Sequence, residues 1–169
     1  MTTNHVTAEE TASVNEVERL YQAGFHKYLR VAEAIAGDRE SGLDGVQEGF
    51  ARALRYRSDF RGEASVSTWI WTCVINAAKA ARPRRGMLLP KEVVGAGTQD
   101  SGPAPTVRDL IASLPERQRL VLFLRYYVDL DYQTIADALG IQLGTVGATL
   151  KKAQSTLRRQ LEEAHDDQS

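Results

Sequence analysis

The sequence has little of what secreted, membrane-bound or disulfide-linked proteins need. Cys73 is the only cysteine in 169 residues, which rules out an internal disulfide and fits a reducing compartment. No run of about 18 apolar residues occurs, so no membrane insertion is predicted. The first twenty residues have neither a basic start nor an apolar core, so no signal peptide is predicted. These absences together favour a cytoplasmic protein.

Residue types that carry catalysis are also scarce. The three histidines, His5, His26 and His165, lie far apart in the sequence. There is no glycine-rich phosphate loop and no Cys/His spacing typical of a metal site. We therefore expect a protein that is not an enzyme and that needs no cofactor or metal.

Charge is distributed unevenly, although the net charge is only −1. Residues 1–18 and 162–169 each hold four acids and no Lys or Arg, and all 21 basic residues lie between them against 14 acids. Acidic ends around a basic middle are compatible with binding a polyanion, and equally with a solvated surface.

The most informative stretch is residues 131–157, which has the pattern of a helix-turn-helix. Asp131 is placed to cap the first helix, and Gly140 ends it because glycine takes the left-handed conformation at little cost. Ile141 is expected to fill the corner between the helices. The second helix continues an apolar stripe at helical spacing through Val146, Leu150, Ala153 and Leu157. Its outward face carries polar and basic groups suited to a DNA groove and its phosphates: Thr145, Thr149, Lys151 and Lys152.

The rest of the chain also has helical periodicity. Three helices are predicted at residues 14–35, 40–57 and 66–81, with a loop at 58–65. Three glycines, Gly42, Gly45 and Gly49, interrupt the second pattern and weaken it as a regular helix. Residues 82–105 contain four of the five prolines and no sustained period, which indicates a flexible linker.

A second domain is predicted from residue 106. Ser113 and Glu116 have capping-box spacing, which places a helix start there. No segment alternates as a strand would. The predicted fold is all-α, with two small helical domains joined by the linker and a helix-turn-helix at the end of the second. The predicted boundaries are a disordered tail 1–13, a first domain 14–85, a linker 86–105, a second domain 106–161 and an acidic tail 162–169.

Both domains resemble one family, the extracytoplasmic-function sigma factors of bacterial RNA polymerase. The first match runs through GDRESGLDGVQEGFARAL and FRGEASVSTWIWTCVINAAKAARPRR. The second covers SLPERQRLVLFLRYYVDLDYQTIADALGIQLGTVGATLKKAQSTLRRQL. Two matches in the right order around a linker are specific to this family, whereas either alone is moderate evidence.

The resemblance implies a role for each domain. The first would recognise and melt the minus-ten promoter element, and Asp44, Gln47 and Glu48 would bind core RNA polymerase. The second would bind the double-stranded minus-thirty-five element. The implied partners are core polymerase, promoter DNA with its melted non-template strand, and an anti-sigma factor as a further candidate. The family usually has basic residues early in the recognition helix, where this chain has Gly147, Ala148 and Thr149.

Candidate residues for melting lie in and after the 58–65 loop. Phe60, Arg61 and Glu63 combine an aromatic ring with charges that can hold an extruded base. Asn76 can hydrogen-bond a base edge, although a local polar bridge is its ordinary role. Two tryptophans two residues apart cannot share one helix face. Trp69 fits the apolar stripe, which leaves Trp71 free to contact DNA or a neighbouring helix, and of these two DNA is the predicted partner.

Two other functions fit parts of this pattern. The chain could be an autonomous helix-turn-helix regulator whose first domain senses a ligand or partner. It could also be a helical adaptor that binds only proteins, with its basic groups merely solvated. A requirement for core polymerase in specific DNA binding separates the sigma function from both.

Overall fold

The computed structural model describes residues 12–82 and 105–166, and the regular secondary structure in these ranges is entirely helical. The prediction of an all-α fold is confirmed. Within the same ranges, no helix combines the length and the apolarity needed to cross a membrane. The predicted linker, apart from its last residue, lies outside the described residues.

Three long helices form the first domain: α1 (Val14–Ala36), α2 (Arg39–Arg55) and α3 (Val66–Ala81). Each begins at a side-chain cap, in which an oxygen of Ser13, Asp38 or Ser65 accepts a hydrogen bond from a backbone amide in the first turn. Ser13 thus caps α1, although it falls within the predicted tail. A 3-10 turn (Arg57–Asp59) follows α2 and leads into the loop before α3.

Glycines let α2 pack closely against both of its neighbours. A Cβ atom at Gly45 would lie 2.8 Å from Ala78 Cα, and one at Gly49 would lie 2.6 Å from Val74 Cα. On the side toward α1, a Cβ at Gly42 would lie 2.7 Å from the backbone nitrogen of Glu33. The helix is continuous through all three positions. The expectation that these glycines interrupt it is wrong, because their function is close packing.

The second domain consists of α4 (Val107–Ser113), α5 (Glu116–Leu122), α6 (Tyr132–Leu139) and α7 (Leu143–Asp166). After α5 the backbone widens into a π-type turn (Phe123–Tyr127), with the amide of Val128 donating to the carbonyl of Phe123 at 3.2 Å. α7 continues past residue 161, where the second domain was predicted to end.

The capping box of the second domain lies earlier than predicted. Thr106 and Asp109 exchange side-chain and backbone hydrogen bonds at the start of α4. Ser113 is instead the last residue of α4, and its hydroxyl donates to the carbonyl of Leu110 at 2.7 Å. No side chain caps α5, which begins after Pro115. The predicted box at residues 113–116 is therefore wrong, because Ser113 is already committed to the preceding helix.

The two domains pack against each other through α3 and α6. Their buried side chains form one continuous apolar cluster that includes Ile70 and Val74 of α3 and Ile135 and Ala136 of α6. Ala136 is 2% exposed, and its small side chain suits a close approach of the two helices.

Candidate DNA and polymerase interfaces

The helix-turn-helix is built as its local sequence predicts. A carboxylate oxygen of Asp131 accepts from the amide of Thr134 at 2.8 Å, and this hydrogen bond is the main cause that lowers the pKa of Asp131 below its ordinary value. Gly140 has φ 64°, in the left-handed region. The amide of Ile141 then donates to the carbonyl of Ala136 at 3.0 Å, which closes the turn between α6 and α7.

The second helix of this motif, α7, separates buried and exposed residues by helical period. Val146, Leu150 and Ala153 are each at most 2% exposed. Lys151 and Lys152 are exposed, whereas Thr145 and Thr149 are half-buried. The basic side chains are thus free to reach phosphate groups, and the two threonines border the same outward surface.

Near its start, α7 has an exposed leucine, Leu143 at 48%, followed by two glycines and an alanine that add little side chain to the surface. A Cβ atom at Gly144 would meet nothing within 4 Å, and one at Gly147 would meet only the Tyr132 ring at 3.7 Å. Ala148 is exposed and short. Along α7, the first charged residue is therefore Lys151.

The candidate polymerase-binding residues share the outer side of α2. Asp44, Gln47 and Glu48 are exposed, while Val46 and Phe50 on the opposite side are buried. Glu48 accepts a hydrogen bond from Arg52 Nε at 2.7 Å, and this contact lowers the pKa of the Glu48 carboxyl. The ion pair is exposed and so contributes little to stability, but it orients the carboxylate on the helix surface.

The candidate melting residues lie in the loop before α3 and on α3 itself. Phe60 is half-buried beside Trp69, with ring centroids 5.4 Å apart and planes at 46°. Arg61 and Glu63 are exposed on either side of Gly62, which has φ 70°. Asn76 is exposed on α3, two turns beyond Trp69. The loop at residues 60–63 is called the minus-ten loop below, after the role that the sequence resemblance predicts for it.

The assignment of Trp71 to DNA is wrong. Its side chain is 5% exposed, and its ring centroid lies 4.2 Å from that of Tyr28 on α1. Trp69, which the sequence placed in the core, is the half-buried tryptophan beside the minus-ten loop. The inward stripe of α3 is rotated by one residue from the predicted one, because α3 packs against α1 and α2 on one side and α6 on the other. The sequence signal for this rotation was the apolar character of Ile75 and Ala78, which are both buried in the structure.

A cleft separates the minus-ten loop from α6. Its volume is about 750 Å³, and both Phe60 and Trp69 line it. Four acids and one base also line it: Asp59, Glu63, Asp131, Asp137 and Arg61. The minus-ten loop and the helix-turn-helix are therefore brought together across a polar, mainly acidic space.

Comparison with known proteins places this architecture in a family. Residues 20–86 match the model for sigma-70 region 2, and residues 106–157 match that for sigma-70, region 4. The RNA polymerase sigma-H factor of Pseudomonas aeruginosa is 28% identical over 157 residues, covering 81% of each chain. The ECF RNA polymerase sigma-E factor of Escherichia coli is 29% identical over 134 residues, covering 68% of this chain and 70% of that one.

A solved structure has the same fold. It is the sigma factor RpoE of Bartonella quintana in complex with the anti-sigma factor NepR, with a TM-score of 0.62 at 15% identity over 88% of this chain and 98% of that chain. The chain described here belongs to the extracytoplasmic-function sigma factors. It is a subunit that directs promoter-specific transcription by RNA polymerase, and sigma factors are non-catalytic initiation factors. The match to region 2 assigns residues 20–86 to a sigma domain, in place of the sensor domain of the alternative regulator.

Proposed function

We propose that the two domains divide promoter recognition between them, the first melting the minus-ten element and the second gripping the minus-thirty-five duplex. The observation that carries this proposal is that the two matched sigma regions coincide with the two helical units, each with its own exposed polar surface. The protein acts with core polymerase in the cytoplasm.

Polymerase binding is assigned to the outer side of α2. Asp44, Gln47 and Glu48 are exposed on one surface, and the glycines of the opposite side hold the helix tightly against α1 and α3. A rigid helix with exposed acids suits a basic partner surface, since the acids lose little freedom on docking. Asp44→Ala with Glu48→Ala should weaken core binding, and Glu40→Ala, also exposed on α2, is the matched control.

Strand opening is assigned to Phe60, Arg61, Glu63 and Asn76. Extruding a stacked, paired base costs a few kcal/mol, and stacking on an aromatic ring returns about 1–3 kcal/mol. The Trp69 ring packs beside Phe60, with centroids 5.4 Å apart, and adds a second aromatic surface to the cleft. Loss of one such contact could therefore change opening from favourable to unfavourable.

Permanganate footprinting tests this assignment. Asn76→Ala and Phe60→Ala holoenzymes should bind duplex promoter but show reduced reactivity at unpaired thymines, and a pre-melted bubble should restore much of the lost transcription. Asn15→Ala, the same change at an exposed position of α1, serves as the control. Wild-type reactivity in both variants would remove these residues from the melting site.

Run-off transcription on a genomic promoter library tests the function as a whole. Core polymerase with this chain should produce discrete starts that core alone does not. Folded protein that yields only the core-alone background would contradict the proposal. Since a solved relative is bound to an anti-sigma factor, we extend the same class of partner to this chain.

A further inference from the structure

A small cavity lies in the second domain, between α4, α5 and α7. Its volume is about 210 Å³. Its apolar walls come from all three helices and from the π-type turn that follows α5: Ile111, Leu122, Phe123, Tyr126, Tyr127 and Leu157. None of the residues assigned above to DNA or polymerase lines it. The cavity is therefore a feature that the proposed function leaves without a role.

The π-type turn forms the aromatic wall of this cavity. Phe123 and Tyr127 are the first and last residues of the turn, and their rings are stacked, with centroids 4.9 Å apart and planes at 16°. Phe123 is 2% exposed and Tyr127 is half-buried. Widened turns of this kind occur frequently at functional sites. An aromatic wall favours a ligand that carries a ring, because aromatic rings pack well against one another.

Arg119 supplies a polar group at the edge of the cavity, and among the described residues that line it Arg119 alone is charged. Its Nη1 donates to the backbone carbonyls of Ala112 and Leu114, the second at 3.0 Å, which holds the guanidinium against the end of α4. Its Nε is buried and has no hydrogen-bond partner within the described ranges. A buried donor without an acceptor is destabilising, so a ligand that accepts from Nε forms a favourable contact.

The charge of Arg119 indicates which acceptor fits best. Over residues 12–82 and 105–166, no carboxylate forms an ion pair with Arg119. Glu116, three residues earlier on α5, is paired with Arg82 instead, whose Nη2 donates to Oε2 of Glu116 at 3.0 Å. A guanidinium and a carboxylate are both planar and match in geometry as well as in charge. The contact open at Arg119 therefore suits a carboxylate.

The volume of the cavity limits the size of the ligand. An apolar cavity of about 150 Å³ holds one benzene molecule. The 210 Å³ between α4, α5 and α7 therefore holds one ring with one small polar group. A nucleotide or a ligand with two rings is too large.

We propose that this cavity is a binding site for a small aromatic monocarboxylate, with its ring against Phe123 and Tyr127 and its carboxylate on Nε of Arg119. Such a ligand contacts α4, α5 and α7 together, through Ile111, Leu122 and Leu157. Its binding therefore stabilises the second domain by mass action. The site does not depend on how promoter recognition is divided between the domains.

Calorimetric titration of the full-length protein with benzoate tests the site. Benzoate carries both the ring and the carboxylate, and its Kd should be on the order of 0.1–1 mM, as befits so few atoms. Benzamide has the same shape without the charge and should bind at least about fivefold more weakly, because hydrogen bonds between charged groups are stronger. Acetate, which lacks the ring, should give no measurable binding. Absence of benzoate binding, or equal binding of benzamide, would overturn the proposal.

Variants locate the binding within the protein. Leu122→Trp fills the cavity and should lower the affinity for benzoate at least about tenfold. Leu161→Trp, at an exposed leucine of α7 that does not line the cavity, is the matched control and should bind as the wild type does. Ile111→Phe provides a smaller filling from α4 if Leu122→Trp does not fold. Wild-type affinity in a folded cavity-filling variant would show that benzoate binds elsewhere, which contradicts the proposal.

Thermal denaturation provides a second measurement on the same proteins. Benzoate at about ten times its Kd should raise the Tm of the wild type and of Leu161→Trp by about 3 °C, and that of Leu122→Trp by much less. Arg119→Gln removes the charge and should abolish the preference for benzoate over benzamide. If this variant does not fold, the comparison of the two ligands on the wild type tests the same contact. An equal rise in Tm in all the folded proteins would show that the stabilisation does not come from the cavity.

Discussion

The glycines of α2 face inward, whereas those at the start of α7 face outward. In α2, a Cβ at Gly49 would lie 2.6 Å from the backbone of α3. In α7, a Cβ at Gly144 would meet nothing within 4 Å. The first domain thus uses glycine to fix the position of α2, the helix that we propose binds polymerase. In the second domain, α7 is held by the turn at Gly140 and by its buried residues Val146, Leu150 and Ala153, and its glycines lie toward the surface that we propose faces DNA.

Alanine substitutions at these two glycines should have opposite effects on stability. Gly49→Ala forces α2 and α3 apart at a backbone contact, which should cost about 2 kcal/mol. The corresponding fall in Tm is about 4–8 °C. Gly144→Ala should instead be neutral or stabilise by up to about 1 kcal/mol, because alanine favours a helix and the space is open. Urea and thermal denaturation measure the stability of both variants. Losses of stability of similar size would contradict the contrast between the two glycines.

The cap of α6 should make the second domain sensitive to acid. The hydrogen bond from the amide of Thr134 lowers the pKa of Asp131 in the folded protein below its value in the unfolded chain. Ionised Asp131 therefore stabilises the fold at any pH above the unfolded pKa. This stabilisation is lost as the pH falls through the lower, folded pKa. Asp131→Ala should cost about 1 kcal/mol at neutral pH. The difference in stability between the wild type and Asp131→Ala should shrink below about pH 4.

Asp131→Asn provides the control for the predicted loss of stability at low pH. Asp131→Asn keeps a capping oxygen but cannot titrate, so its stability should lack this contribution to the pH dependence. A wild-type-to-alanine difference that stays constant from pH 7 down to pH 3 would contradict the role of the charge.

The bare surface of α7 should accept a new DNA contact. Gly147→Arg places a charge beside Tyr132, where a Cβ has ordinary contact at 3.7 Å. One more phosphate contact should steepen the salt dependence of log K by about 0.9 on minus-thirty-five duplex, and Gly147→Ala should leave it unchanged.

Removal of an existing charge should have the converse effect, of the same size. Lys151→Ala and Lys152→Ala should each flatten the salt dependence by about 0.9, with little change in sequence preference, because flexible ammonium groups contact phosphate as point charges. Glu163→Ala on the same helix is the control. An unchanged slope in both lysine variants would count against their placement at the DNA backbone.

Local patterns explain which parts of the fold could be predicted. Helix α3 was predicted at its observed bounds, and the turn at Gly140 followed from residues adjacent in sequence. Ser113 was misassigned because the same spacing suits a helix start and a helix end. The glycines of α2 were read as interruptions because their partners, Val74 and Ala78, lie on another helix.

The candidate site was less predictable around α3, because this helix packs against helices of both domains. Trp71 was placed on DNA because a single apolar stripe was expected for α3, but this helix packs on two sides. Thr68 and Thr134 gave no signal in the sequence, since a hydroxyl pair 66 residues apart has no local pattern. The exposure of Asn76 and Lys151 is compatible with their proposed roles, which stay predictions.

The hydroxyls of Ser65, Thr68 and Thr134 and the carboxylate of Asp131 form a hydrogen-bonded hydroxyl chain between the two domains, and this chain has a calorimetric consequence. It joins the first turns of α3 and α6, and the apolar cluster continues across the same boundary. Loss of α6 would leave Ile70 and Val74 partly uncovered, so melting of one domain lowers the stability of the other. Heating the free protein should therefore give a single endotherm with equal calorimetric and van't Hoff enthalpies. Thr68→Val with Glu116→Gln removes the hydroxyl contact and the Arg82–Glu116 ion pair but keeps the apolar cluster. It should therefore weaken the coupling, so that the van't Hoff enthalpy falls below the calorimetric enthalpy.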